Sequence, residues 1–591
     1  MLASPRLLRT LVLFAGSFAI ACGDTNEPAD DGGDSGSSDA GSASQGSATT
    51  ASSTAGSMTG TSATDGTTAT DGTTVSTTVG SDDSSGGDSD GSSDSGSDTG
   101  GAAACGDAVE IPYEVAFATY LGGGADWEHA RDAAVLPDGS VVVVGGTASN
   151  DFPVTPGAAD GSFGGGGGAT GGHGDSDVFV AKFTSDGTLE WATYLGGPNY
   201  DRAYAVEVDG NGDVLVSGRA GPGFPVTAGV FQTEYLGNDS GFYGLQNGFI
   251  AKIAGDGGTV QWASYFSVGH LIRDFALDDD GDIYAAMTYQ PGAQGTAPWL
   301  GAAVANAYQP MRHDDSESGV AKISGDGTQV LWATWLGGTG AESGIASVRV
   351  DDQERPYVAT FTDSTDLPTT GTGVTTSNAG GVDLYVARLS ADGSALEMGA
   401  YIGGSGDEYF ETHAIGLGAG DLFIGGGTAS TDLPTTPGAH QPQYGGGAMD
   451  AFVARLTTEG TLVAATYYGG SGNEGPDGVS VTAAGEVLFT GETTSTDLPS
   501  TAGAYQPSFG GNRDAYAIRF GAELDAPRYA SYFGGGAYDN GRGATLADDC
   551  TAVIVGAADG AGFPTTNAWQ PAFAGGPDQW GNGDAFVVVL R

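Results

Sequence analysis

Positive charge is scarce in this 591-residue chain: 19 Lys and Arg stand against 73 Asp and Glu, a formal net charge of -54. A surface of that sign repels phosphate backbones, which excludes nucleic acid as a partner. Cysteine is nearly absent, with only Cys22, Cys105 and Cys550. No CxxC pair occurs, which excludes a thiolate zinc site. The six histidines (His129, His173, His270, His313, His413 and His440) form no HExxH and share no repeat position. No G-x-S-x-G elbow occurs in residues 105–591, and the glycine run 164–168 opens no helix, so neither a hydrolase nucleophile nor a phosphate cradle is indicated. No segment carries a helical period. The longest early apolar run, Leu11 to Ala21, is 11 residues, too short to span a bilayer.

What the chain does contain falls into three parts. Residues 1–21 have Arg6 and Arg9 ahead of that apolar run, the layout of a cleaved export signal. The run ends Ala19-Ile20-Ala21-Cys22, which resembles the lipobox of bacterial lipoproteins, with Ala19 where that family usually has Leu. The resemblance implies lipid on Cys22, a membrane anchor and residence in the bacterial envelope, at the outer membrane or cell surface. Residues 22–104 are nearly all Ser, Gly, Thr, Asp and Ala, with 14 acids and no base from Gly23 to Ala104. Such a segment cannot bury enough apolar surface to offset its chain entropy and reads as a disordered tether.

Residues 105–591 are repetitive. An aromatic residue, an apolar residue and paired glycines recur at Tyr120, Tyr194, Trp335, Tyr401, Tyr467 and Tyr532, with a degenerate copy at Tyr265-Phe266. The spacings are 74, 71, 70, 66, 66 and 65 residues. Each unit holds two alternating apolar runs across a turn, then an irregular Pro/Gly segment such as Leu433-Pro434-Thr435-Thr436-Pro437-Gly438. A third run such as Asp450-Ala451-Phe452-Val453-Ala454-Arg455 follows, then a fourth leading to the next glycine pair. Four antiparallel strands repeated seven times predict an all-β fold, a seven-bladed β-propeller. The chain ends on a third-strand motif, Asp584 to Arg591, while Tyr113 to Leu121 is a fourth strand without the first three strands of a unit before it. The amino-terminal strand is therefore expected to complete the last blade and close the ring. That scheme sets Cys105 and Cys550 on one face of the closing blade, where a disulfide competes with two unpaired thiols.

The combination of YLGG, paired strands, FP-T-PGA and DAFVAKL resembles the SBBP repeat family of bacterial seven-bladed propellers over residues 113–591. The resemblance implies the fold and an exported protein. It implies no particular activity.

Two acidic patterns suggest a site. The fourth residue after the glycine pair is an acid in five units: Asp201, Glu342, Glu408, Glu474 and Asp539. In the first unit Trp127 takes that place, between Asp126 and Glu128. A ring of such carboxylates suits Ca²⁺, whereas acids that merely accept backbone N–H bonds in their own loops are the favoured alternative. Asp209-Gly210-Asn211-Gly212-Asp213 and Asp278-Asp279-Asp280-Gly281-Asp282 hold calcium-like oxygen spacings but lie at strand turns and read as turn chemistry. No unique polar cluster is evident to break the sevenfold symmetry. The sequence therefore predicts a monomeric, non-enzymatic scaffold binding a protein or polysaccharide, with no cofactor beyond candidate Ca²⁺. The alternatives are a polysaccharide hydrolase or lyase, and a structural envelope protein without a ligand.

Overall fold

The computed structural model describes residues 105, 113–125, 127–166, 174–240, 243–269, 271–289, 297–313, 316–370, 375, 377–576 and 583–591. The export signal, the lipidation of Cys22 and the disordered tether expected from the sequence all fall outside the described residues.

Seven antiparallel sheets form the blades. Their first strands are Glu128–Val135, Arg202–Val208, Phe275–Leu277, Glu342–Val350, Ile415–Gly418, Glu474–Val481 and Asp539–Leu546. These strands pack against one another around the ring, so each is the innermost of its blade and together they line a central channel. Blade 3 is the most irregular. Its inner strand is three residues long, and it carries a helical turn, Leu300–Ala303, the one helical element among the described residues of an otherwise all-β fold. Between neighbouring blades the alternating apolar residues interdigitate. Phe117, Val143, Phe179, Val555 and Val587, for example, share one core across the junction of the last blade with the first.

The repeat motifs have distinct structural jobs. In six units the motif tyrosine clamps the irregular segment that follows the second strand. Tyr467 accepts from the Leu433 N–H at 2.8 Å and donates to the Ser430 carbonyl at 2.8 Å. Tyr532 does the same for Leu498 and Ser495, and Tyr120 for Phe563 and Gly560. The glycine after it is required by crowding: a Cβ on Gly469 would lie 2.4 Å from the Asp450 carboxyl carbon. That aspartate, first residue of the third strand, itself accepts the Gly445 N–H at 2.5 Å. Replacing Tyr467 with Phe leaves a buried N–H and C=O without a partner and is expected to cost about 1–3 kcal/mol. A denaturant midpoint equal to that of the native chain would show the clamp to be dispensable.

The ring closes at the last blade, whose order is Asp539–Leu546, Ala552–Ala558, Asp584–Leu590 and, outermost, Val115–Leu121. Tyr120 stands opposite Phe586 in this pairing. Glu114 and Arg591 extend it by exchanging backbone hydrogen bonds. Cys105 and Cys550 form a disulfide with Cα atoms 4.8 Å apart. The Cys105 N–H also donates to the Asp548 carbonyl at 2.7 Å.

Candidate functional site at the centre of the propeller

The five repeated acids do not converge. Each is buried within its own blade and ties a loop there. Glu474 accepts the Gly470 N–H at 3.0 Å and the hydroxyls of Thr493 and Ser495 at 2.8 and 2.5 Å. Glu408 repeats this with Gly404 and Thr428, and Glu342 with Gly338, Thr362 and Ser364. Asp201 takes the N–H groups of Gly197 and Gly221, and Asp539 that of Gly535. In the first blade the equivalent residue is Glu128, held by Thr147 at 2.7 Å, and not Trp127, because Gly124 adds a residue to that loop. Burial pushes the carboxyls of Glu408, Glu474 and Asp539 up to about 7. Among the described residues no group of three or more His, Cys, Asp or Glu is arranged to hold a metal ion. The repeated acids are thus loop ties, the reading favoured from the sequence over a Ca²⁺ ring. The two calcium-like turns are occupied by ammonium groups: Lys252 lies 2.6 Å from Asp209, and Lys322 lies 2.9 Å from both Asp278 and Glu354.

Three residues beyond Glu128, Asp201, Glu408, Glu474 and Asp539 lies a position that fills the channel. In four inner strands the ladder skips that residue. Pairing jumps from Ala130 to Asp132, from Ala203 to Ala205, from Pro476 to Gly478 and from Gly541 to Gly543. A β-bulge ejects the skipped side chain from the sheet, which here delivers Arg131, Tyr204, Asp477 and Arg542 to the centre. Arg273 and Glu411 occupy the same repeat position in blades 3 and 5. All six are buried. Glu411 meets Arg273 at 2.5 Å and Arg131 at 3.4 Å, and Asp477 meets Arg542 at 2.5 Å. The Tyr204 ring gathers the guanidinium groups of Arg202, Arg131, Arg273 and Arg219 at 4.5, 4.9, 5.0 and 5.4 Å. Burial alone would raise the Glu411 carboxyl, but Arg273, Arg131 and Arg542 more than offset it and hold the group well below the usual range.

One level further along the channel is a second polar layer. His413 places Nδ1 2.9 Å from Asp274 and Nε2 3.1 Å from Asp132, so one imidazole links blades 5, 3 and 1. Burial would lower its pKa, yet the two carboxylates hold it at about 10, so the ring is an imidazolium at neutral pH. Arg349 of blade 4 adds an ion pair to Asp274 at 2.9 Å, and Ser347 donates to the same carboxylate at 2.5 Å. Glu207 of blade 2 completes the layer, its carboxyl pushed by burial up to about 7.

This layer is the floor of a cavity of about 460 Å³ at the end of the channel. Its walls are the ends of the inner strands, among them Val135, Val208, Val350, Leu417, Val481 and Leu546. Asp548 reaches the lining as well, which sets the rim beside the Cys105–Cys550 disulfide. The chemistry available is a fixed set of ionic hydrogen-bonding groups below and apolar surface around. The central polar cluster breaks the sevenfold symmetry, contrary to the sequence expectation. Its signal was present as charged residues at the third position after the loop-tying acid, but the residue type changes from blade to blade.

No protein-family profile matches the chain. Over 320 residues it is 26% identical to the regulatory protein FlaEY of Caulobacter vibrioides, a match covering 52% of this chain and 25% of that one. The chain thus spans about a quarter of the curated relative it matches. Among solved structures it is similar to the hydrazine synthase of Kuenenia stuttgartiensis, with TM-score 0.38 and 9% identity over 75% of this chain and 96% of that one. It is also similar to an ulvan lyase of polysaccharide lyase family 25, with TM-score 0.40 and 10% identity over 74% and 93%. The chain is a seven-bladed β-propeller with a charged, blocked channel and a cavity at one end of it.

Proposed function

We propose that this chain is an exported lipoprotein, anchored through Cys22, whose propeller binds an extracellular polysaccharide at the mouth of the channel. The cavity carries the reading. Its volume is in the range of small-ligand sites, and its apolar walls over an ionic floor match the mixed character of a sugar ring. The floor is braced from blades 1, 3, 4 and 5, so its hydrogen-bonding groups are fixed before a ligand arrives, which lowers the ordering cost of binding. The lipobox-like Ala19 to Cys22 and the Cys105–Cys550 disulfide support export to an oxidising compartment. Calorimetry of the full chain against a panel of envelope and extracellular polysaccharides tests it. Saturable binding should weaken about tenfold or more in Arg349→Ala, a loss of roughly 1.4 kcal/mol. Binding that survives both Arg349→Ala and Glu207→Ala unchanged would place the ligand elsewhere.

One observation favours a second reading, a polysaccharide hydrolase or lyase. A carboxyl held near neutrality in a cleft suits general acid–base catalysis, and Glu207 is such a group. Turnover of a bound polysaccharide that disappears in Glu207→Gln, with binding retained, would establish the enzyme over the scaffold.

A further inference from the structure

Five charged side chains line the cavity: Asp132, Glu207, Arg349, His413 and Asp548. Four are already answered. Asp132 accepts the Val206 N–H at 2.8 Å and faces His413 Nε2 at 3.1 Å. Arg349 and His413 both pair with Asp274, each at 2.9 Å. Asp548, exposed at the rim, accepts the Ala483 N–H at 2.9 Å. Glu207 is the exception. It is half-buried against the cavity and, among the described residues, makes no ion pair or hydrogen bond of its own. The neighbouring charges that face it cancel, Arg349 and His413 being cationic and Asp132 and Asp274 anionic. Ionising Glu207 therefore leaves the floor with one negative charge in excess. A carboxylate in a partly dehydrated cavity attracts a cation far more strongly than it does in water. The whole molecule has the same bias. With 73 acids against 19 bases, it repels saccharides rich in uronate or sulfate and draws in cationic ones.

We propose that the sugar residue entering the cavity bears a free protonated amine, its ammonium paired with Glu207 and its ring lying against the apolar walls. The inference rests on the polysaccharide reading above and adds the class of polysaccharide, one that carries unacetylated amino sugars. Ser480 also lines the cavity; its hydroxyl oxygen accepts the Leu546 N–H at 3.0 Å, which leaves its O–H to donate to the sugar.

Calorimetry of the full chain tests this at about 0.15 M salt, where diffuse attraction to the acidic surface is largely screened. Glucosamine oligomers are compared with their N-acetylated and uronic-acid counterparts. The free amine should bind about tenfold or more tightly than the acetylated form, since acetylation removes the charge that Glu207 meets. At about pH 6 it should also release roughly one proton per site, read as a heat that depends on the buffer. The Glu207 carboxyl, pushed by burial up to about 7, must ionise to form the pair. In Glu207→Gln both the preference and the proton release should vanish. Equal or tighter binding of the acetylated or uronic-acid oligomer would overturn the inference and leave the polysaccharide reading standing. Binding of none of the three would overturn it too, and the wider polysaccharide panel then decides the parent reading on its own. A trilysine peptide bound as tightly as the amino oligomer would mark a protein ligand and count against both.

Discussion

Removing the chain up to and including Leu121 is expected to abolish folding altogether, leaving insoluble protein or a soluble fraction without a cooperative melt. The last blade would lose its outer strand, and Asp584–Leu590, with its run Phe586 to Leu590, would become an open apolar edge of the kind that templates aggregation. Phe117, Tyr120 and Leu121 are all buried. At about 1.5–3 kcal/mol for each large apolar side chain, with the Tyr120 clamp lost too, the deficit rivals the roughly 5–15 kcal/mol that holds a typical domain together. A truncated chain melting cooperatively within a few degrees of the full one would show that the ring does not depend on this strand. Reducing the disulfide is a milder insult, because the strand pairing remains. The cross-link joins residues 445 apart in sequence, and its loss should cost about 2–5 kcal/mol.

Stability should also fall as pH rises from about 5 to about 8, the reverse of proteins held by ion-paired carboxylates. The loop-tying acids are buried, and burial favours their protonated form. Glu128 is pushed up to about 8; Asp177, Glu408, Glu474 and Asp539 to about 7; Asp450 and Asp514 to about 6. Between the unfolded values near 4 and these folded values the native state binds more protons than the unfolded chain. The stability they contribute is full below about pH 4 and is lost as pH climbs through 6 to 8. His413, raised to about 10, adds a loss in the same direction from about pH 6.5 upward. Several groups act the other way, three of them deeply buried. Asp274 and Glu411, held low by their cationic neighbours, lose their contribution only as pH drops below about 4. Buried neutral His129 loses its own below about pH 6.5. A melting maximum near pH 5, with a fall of about 5 °C or more by pH 8, is therefore expected. The mutual repulsion of an acidic surface pushes the same way. A melting point that instead climbed steadily to pH 8 would mean that these acids are ionised in the native state.

How much of this could be read from the sequence depends on which residues repeat. Tyr467, Gly469, Asp450 and Glu474 each recur because each meets the same local demand in successive blades: a clamp, a close approach, a loop tie. Repetition made these positions visible and placed Glu408 and Glu474 in loop ties as the favoured alternative to calcium. The centre obeys the opposite rule. Arg131, Tyr204, Arg273, Glu411, Asp477 and Arg542 share a position and not a residue type, because side chains meeting on one axis must differ to pair. Sequence similarity between units is blind at that column, and the same blindness hid the linkage of Asp132, Asp274, Arg349 and His413, which lie up to 281 positions apart in the chain.

The sequence by itself determined the strand pattern, the number of blades and the closure, because these follow from alternation, turn chemistry and the offset between first and last motif. Each of those is a local or periodic property that a linear chain displays. Only the tertiary structure decided which charges meet. Burial and pairing arise when bulges on different inner strands eject their residues onto a common axis. The distance between two charges on that axis is fixed by the ring, not by their separation along the chain.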